Sequence, residues 1–290
     1  MANLRIGTCS WKYDSWRGLV YSDSPTLNHL EEYAQRYETV EIDQWFWSLH
    51  GGDRVSLPRR EVVQAYRNSV PDGFTFTVKI PNSISLTHFY RKKKDDPLVP
   101  NPTFLSVDLF QEFLRSIKPL QGCLGPLMFQ FEYLNKQKMT SQADFQERFQ
   151  AFIEKCPQEY SYGLEIRNPN YLNASYFHFL ERNGLSHVFL QGYYMPPIVD
   201  IYRTYASHIK NATVIRLHGP DRQGMEERSG GRWDRILQPR DEELDAIVTM
   251  IEDLISSRVD VWLNVNNHYE GSAPLTIQRI RERLKKTSSR

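Results

Sequence analysis

The chain of 290 residues has little cysteine and no excess of charge of either sign. Its three cysteines, Cys9, Cys123 and Cys156, are widely spaced and form no CxxC pair. An odd, scattered set does not suggest a disulfide framework, so a cytoplasmic location is expected. The 36 basic residues face 35 acidic ones, for a formal net charge of +1. No global attraction to nucleic acid or to an anionic membrane follows, and any basic footprint must be local. No apolar run approaches the ~20 residues of a membrane helix. The opening Met1-Ala2-Asn3-Leu4-Arg5-Ile6-Gly7 enters a strand-like run without the apolar stretch of a signal peptide. There is no obvious repeat, low-complexity linker, HExxH or GxSxG. One domain over residues 1–290 and no membrane partner are therefore expected.

What the chain does have is alternation. Short runs rich in Val, Ile, Leu, Phe or Tyr occur at Leu4–Cys9, Thr39–Ile42, Phe74–Ile80, Leu127–Phe131, Tyr162–Ile166, His187–Leu190, Thr213–Leu217 and Val261–Asn264. Between several of them apolar residues recur at helical spacing, as in Leu27, Leu30, Tyr33, Ala34 and Tyr37, or Leu244, Ile247, Val248, Ile251 and Leu254. Ser141 and Asp144 resemble a capping box ahead of Phe145, Phe149 and Phe152. Eight strand–helix units imply parallel strands with crossover helices, and the length suits the roughly 250 residues of an eight-fold barrel. The fold class expected is a single (β/α)8 TIM-type barrel. Its enlarged loops, Pro81 to Thr103 and Gly219 to Pro239, both follow strands and belong at the carboxyl-terminal face.

In such a barrel, residues at the carboxyl ends of the strands surround the functional mouth. Those ends carry Cys9 and Trp11, then Glu41 and Asp43 two apart, Lys79 with His88 beyond, Gln130, Glu165 and Arg167 two apart, Gln191, Arg216 and His218 two apart, and Asn264 followed by Asn266, Asn267 and His268. Buried charges are costly unless paired, so this many on one ring point to a site or to an internal ion-pair network. Glu41, Lys79, Glu165 and His218 are the candidate catalytic groups. Trp11, Asp43, His88, Gln130, Arg167, Arg216, Asn266 and Asn267 are the candidate ligand-binding groups.

The ring suits acid–base chemistry, with Glu41 and Glu165 as leading candidates and Arg167 restraining Glu165. Arg216, with Gly271 and Ser272 at the start of the last helix, suggests an anion pocket. No tight metal-ligand spacing occurs, so no metal is assigned, and the cofactor is left unknown. Cys9 is a weak nucleophile candidate. Arg91 to Lys94 with Trp11, Trp45, Trp47 and Trp233 offers a nucleic-acid surface. The function expected first is an enzyme acting by acid–base chemistry on a small polar or sugar-like ligand, phosphorylated in one form. A nucleic-acid-binding barrel or phosphodiesterase is the alternative, and a non-catalytic ligand sensor the third.

Ile6-Gly7-Thr8-Cys9-Ser10-Trp11, Thr39-Val40-Glu41-Ile42, Phe76-Thr77-Val78-Lys79, Leu86-Thr87-His88, Leu124-Gly125-Pro126-Leu127, Leu164-Glu165-Ile166-Arg167, Ile215-Arg216-Leu217-His218-Gly219 and Asn266-Asn267 together resemble the YecE-like family, domain of unknown function 72. The resemblance implies a TIM-type barrel and brings no established reaction. A likeness of such proteins to endonuclease IV-like and xylose isomerase-like barrels is fold-level analogy. The chain departs from the family's usual pattern at Asp43-Gln44-Trp45-Phe46-Trp47 and at Asn168-Pro169-Asn170-Tyr171, which implies a variant site with bulkier aromatics and one more carboxylate.

Overall fold

The computed structural model describes residues 2–50, 54–91, 93 and 95–288. The strands β1 (Leu4–Thr8), β2 (Thr39–Ile42), β3 (Thr75–Lys79), β4 (Leu124–Phe131), β5 (Tyr162–Ile166), β6 (Ser186–Gly192), β7 (Ala212–Gly219) and β8 (Asp260–Val265) follow one another in sequence order around a closed barrel. All neighbours are parallel, and β8 closes on β1 from Leu4 against Val261 to Thr8 against Val265. This is the (β/α)8 architecture the alternating pattern implied.

The helices are α1 (His29–Ala34), α2 (Arg60–Asn68), α3 (Asn82–Ser85), α4 (Val107–Ile117), α5 (Gln142–Ile153), α6 (Ala174–Arg182), α7 (Ile198–Tyr205), α8 (Arg222–Ser229), α9 (Asp241–Ser256) and α10 (Ala273–Ser288). Their apolar faces pack on the outside of the barrel. Phe129 of β4 meets Phe110 of α4 at 5.4 Å and Phe149 and Phe152 of α5 at 5.2 and 5.6 Å between ring centres. Such ring pairs each contribute about 0.5–1.5 kcal/mol beyond burial alone. Ser141 caps α5 by accepting from Asp144 N–H at 3.1 Å, but the Asp144 carboxylate turns to Thr140 Oγ1 at 2.8 Å. The capping box is thus closed on one side only. No helix among the described residues is long and apolar enough to cross a membrane.

A second, smaller apolar cluster fills the barrel itself: Met128, Val188, Val214 and Trp262. The register places Val188 beside Val214 and Val214 beside Trp262, so these side chains share one inward layer. The Trp262 indole N–H donates to Thr75 Oγ1 at 3.0 Å. Two residues further along β7 and β8 stand Arg216 and Asn264, which bond to Glu41 of β2 and Thr77 of β3. The apolar plug is therefore the base on which the polar ring stands.

Several elements differ from the sequence-based expectation. β4 starts at Leu124 instead of Leu127. Gly125-Pro126 has turn chemistry, yet here it occupies an irregularity in the β3–β4 register, and a side chain at Gly125 would strike the Trp262 indole at 2.8 Å. Inside the Gly219 to Pro239 connection lies α8, whose charged sequence buries only Met225 and Ser229. Its last turn ends on Gly230 at a φ of 56°, a left-handed stop that favours glycine. The same connection is pinned by Trp233, which sits edge-on to His268 at 4.9 Å and donates its backbone N–H to Ser15 Oγ at 3.1 Å.

Gly7 marks the tightest strand contact, because a Cβ there would lie 1.8 Å from the Thr39 carbonyl oxygen. Backbone cannot yield as a side-chain tip does. Gly7→Ala is expected to cost at least about 2 kcal/mol in thermal or urea unfolding, through overpacking. Gly122→Ala, where nothing lies within 4 Å, is expected to leave stability within about 0.5 kcal/mol. Equal melting temperatures for the two variants would refute this account of the β1–β2 contact.

Candidate functional site

Arg216 of β7 lies at the centre of the mouth. Its Nε and Nη2 donate to the two Glu41 oxygens at 2.8 and 2.7 Å, a bidentate pair with β2 on another part of the ring. Its Nη1 donates to Glu165 Oε2 and, at 3.3 Å, to Gln130 Oε1. Arg167 donates from Nε to the other Glu165 oxygen at 3.0 Å. Asn264 Nδ2 donates to Thr77 Oγ1 at 2.8 Å and reaches Glu41 Oε2 at 3.5 Å. Strands β2, β3, β4, β5, β7 and β8 are thus tied across the barrel by one network.

Depth separates two layers. Glu41 and Glu165 are 0% and 1% exposed, whereas Lys79, Gln130 and His218 keep 7–8%. Asp43 and Arg167 are only partly buried. The Arg216 network is the floor, and Asp43, Lys79, Gln130, Arg167 and His218 rise from it toward the opening. Asp43 and Lys79 are neighbours in this upper layer: the β2–β3 register pairs Ile42 with Val78, and each stands one residue further on.

The two layers differ in protonation. Burial alone would raise the Glu165 carboxyl, but Arg216 and then Arg167 more than offset it and hold it at about 2. Burial likewise opposes the Arg216 charge, and Glu165 and Glu41 overcome it, so the guanidinium titrates well above its ordinary value. In the upper layer burial prevails. It raises Asp43 to about 6, with Glu41 adding to the effect and Lys79 opposing it. It lowers Lys79 to about 8, with Arg216 adding to the effect. Burial and then Arg216 and Arg167 push His218 well below the imidazole range. Cys9 Sγ lies 3.6 Å from His218 Nε2, and burial, with Glu41 next, pushes the thiol up. These two groups face each other as neutral thiol and neutral imidazole. Tyr193 OH approaches the other imidazole nitrogen, Nδ1, at 3.3 Å.

The remaining candidates sit elsewhere. Trp11 is buried in the helix–strand core with its ring 5.2 Å from Tyr66, at right angles. His88 bonds to Thr87 Oγ1 at 3.0 Å, and its surroundings include Lys138 and Glu132, not the Arg216 network. Asn266 Oδ1 accepts the His268 N–H at 3.0 Å, and Asn267 Oδ1 accepts the Ala273 N–H at 2.9 Å, so both shape the β8 loop. Ser272 is fully buried, and next to it the buried Glu270 carboxylate accepts from Arg240 N–H at 2.7 Å and Thr276 Oγ1 at 2.9 Å. An anion at the α10 start would meet that carboxylate. Among the described residues, no group of three His, Cys, Asp or Glu side chains converges to hold a metal ion.

The sequence pointed to bulkier aromatics after β2 but did not place two features of the mouth. Phe46 lies under the Lys79 ammonium, 3.9 Å from Nζ to the ring centre. The exposed large hydrophobic side chains among the described residues are Trp47, Tyr90, Val99, Tyr133 and Tyr194. All five lie on connections that follow β2, β3, β4 or β6, at the mouth end. Trp47 meets Tyr90 at 6.0 Å and Tyr133 meets Tyr194 at 6.4 Å between centres. The signal was available in the sequence as aromatics just past strand ends, but Trp47 was not separable there from the buried Trp11, Trp45 and Trp233. In the basic loop, Lys93 N–H donates to Asp96 Oδ2 at 2.8 Å, while Lys92 and Lys94 lie outside the described residues.

Residues 5–290 match the family described as "Protein of unknown function DUF72". Over 170 residues the chain is 28% identical to the UPF0759 protein YecE of Escherichia coli K12, which is 57% of this chain and 49% of that protein. The chain thus spans about half the length of the curated relatives it matches. A DUF72 family protein (EF0366) of Enterococcus faecalis V583 superposes with a TM-score of 0.68 at 19% identity, over 97% of this chain and 95% of that one. A DUF72 family protein (TM1631) of Thermotoga maritima MSB8 gives 0.65 at 21% identity, over 99% of this chain and 100% of that one. Both carry the same fold.

The floor and the upper layer respond differently to mutation and pH. Arg216→Met leaves the buried Glu41 carboxylate without its ion-pair partner and Glu165 with Arg167 alone, and is expected to cost about 3–5 kcal/mol. Glu165 has a depressed folded-state pKa, so its stabilisation is complete above its ordinary value of 4.5 and is lost as pH falls from there toward about 2. Asp43 has a raised one, so its effect runs the other way: stability falls as pH rises from 3.8 to about 6. Urea unfolding across pH 2–8 should therefore show a shallower acid limb in Glu165→Gln and higher stability above pH 6 in Asp43→Asn. A Glu165→Gln variant with the parent's acid limb would overturn the assignment of that carboxylate to the floor.

Proposed function

Because this chain belongs to the DUF72 family, whose activity is not defined, we propose from its own site that it is an enzyme of the cytoplasm, one domain over residues 1–290, that binds a small polar, sugar-like and anionic ligand at the barrel mouth and works on it by acid–base chemistry. One observation carries this reading. Lys79 is a buried amine with no carboxylate within 4.0 Å among the described residues, beside an Asp43 carboxyl that keeps its proton up to about 6. An acid and a base that exchange protons on either side of neutrality are what such catalysis requires. Glu41 and Glu165 serve as the charged platform that positions them, since Arg216 occupies both. His218, neutral and held by Tyr193, orients ligand polar groups, and Gln130 offers its amide.

The anion falls to Arg167 and Lys79, because the donors of Arg216 are directed at Glu41, Glu165 and Gln130. Arg167 uses Nε for Glu165, and no described residue accepts from its Nη groups. The Trp47–Tyr90 and Tyr133–Tyr194 pairs supply ring faces of the kind that pack against sugar carbons. Free, buried cysteines agree with the cytoplasmic placement.

Calorimetric titration with ribose 5-phosphate, ribose and inorganic phosphate checks the binding part. The phosphorylated sugar should bind most tightly, Arg167→Gln should weaken it about tenfold or more, and 0.5 M salt should weaken it further. Arg167→Gln binding with unchanged affinity would refute the anion assignment. Any turnover found should show limbs near pH 6 and 8, set by Asp43 and Lys79.

A further inference from the structure

Lys79 stands apart from the other cations of the mouth. Arg216 holds two carboxylates and Arg167 holds one, but among the described residues Lys79 makes neither an ion pair nor a hydrogen bond. Of the carboxyl groups around it, Glu41 and Glu165 accept from Arg216, and Asp43 keeps its proton up to about 6; the contact of its ammonium is the face of Phe46. A lysine retained only to balance charge would contact a carboxylate. A buried ammonium without one is costly, and loss of a proton removes that cost. The unprotonated amine is a nucleophile, and this one stands in the upper, partly accessible layer of the mouth.

We propose that Lys79 acts as a covalent catalyst, its Nζ condensing with the carbonyl carbon of a small aldehyde or ketone that carries an anionic group. This rests on the mouth being the ligand site. The lone pair of Nζ forms a C–N bond while the carbonyl π pair moves to oxygen, which takes a proton. Nitrogen then loses its extra proton. The resulting hydroxyl leaves as water after a second protonation, and the nitrogen lone pair completes the C=N bond, giving a protonated imine with no change in oxidation level. Asp43, next to Lys79 across the β2–β3 pair and protonated up to about 6, is placed to donate and recover these protons. Arg167, whose guanidinium lies 5.2 Å over the Tyr193 ring and whose Nη groups make no hydrogen bond to described residues, holds the anionic group. Burial, then Arg216, brings the amine down to about 8, so a sizeable fraction is unprotonated near neutrality. A protonated imine withdraws electrons from the neighbouring carbon, so the reaction class is proton abstraction or carbon–carbon bond cleavage beside a carbonyl.

Incubation of the full chain with pyruvate or glycolaldehyde phosphate and sodium cyanoborohydride, followed by peptide mass spectrometry, tests this. The adduct should concentrate on Lys79, at about tenfold or more the occupancy of the exposed Lys12 and Lys155, and its formation should rise with a midpoint near pH 8. Lys79→Arg keeps the charge and should abolish that adduct, with a thermal melt showing that the variant folds; phosphate binding is read by calorimetry on the parent chain. Labelling spread over surface lysines, or an unlabelled Lys79 in a protein that binds phosphate, overturns the imine and leaves the ligand site standing. Neither adduct nor phosphate binding overturns both.

Discussion

The ion network centred on Arg216 is the constraint on which the mouth depends. Its bidentate bond to Glu41 joins β7 to β2, and its second carboxylate, Glu165, brings in β5. Buried ion networks of this kind are weak sources of net stability, because the desolvation of each charge opposes the attraction between them. A well-packed apolar layer would hold a barrel closed, as Met128, Val188, Val214 and Trp262 do one layer below. The charges are better understood by what they do to the groups above them. With both carboxylates committed to Arg216, the upper layer receives little neutralisation, and burial governs Asp43 and Lys79.

This division of labour follows from the strand period of two. Glu41 and Asp43, Glu165 and Arg167, and Arg216 and His218 are each inward pairs two residues apart at the end of one strand, the lower member in the floor and the upper at the opening. A one-residue slip of any of these strands would turn both members outward into the helix layer. The closeness of the strands is therefore part of the site, and Gly7, with Thr39 pressed against it, permits the approach of β1 to β2.

Much of this was legible in the sequence, and the reasons are local. Alternation of short apolar runs with helical stripes revealed the barrel, and polar residues two apart at strand ends revealed the inward ring. The partition of that ring was not legible. Glu41, Asp43 and Glu165 are equivalent as letters, and only the reach of Arg216 across the barrel separates two held carboxylates from one raised carboxyl. Trp11 is similar: its place after β1 suggests the mouth, but its ring turns into the helix–strand core beside Tyr66. The α8 helix escaped notice because it buries so little that no apolar stripe marks it. Gly125-Pro126 concealed the start of β4 because turn chemistry and a strand irregularity use the same residues.

The two nucleophile candidates of the mouth, Cys9 and Lys79, are set apart by their neighbours. Cys9 lies near His218, an arrangement that elsewhere yields a thiolate–imidazolium pair. Here Glu41 disfavours the thiolate, and Arg216, Arg167 and Lys79 disfavour the imidazolium, so both terms of the pair are opposed on top of burial. The same field acts on Lys79 in the opposite sense for reactivity: Arg216 disfavours the ammonium and so favours the nucleophilic form. One fixed guanidinium thus helps keep the imidazole neutral and lowers the amine, which is why the proposal falls on Lys79 and not on Cys9.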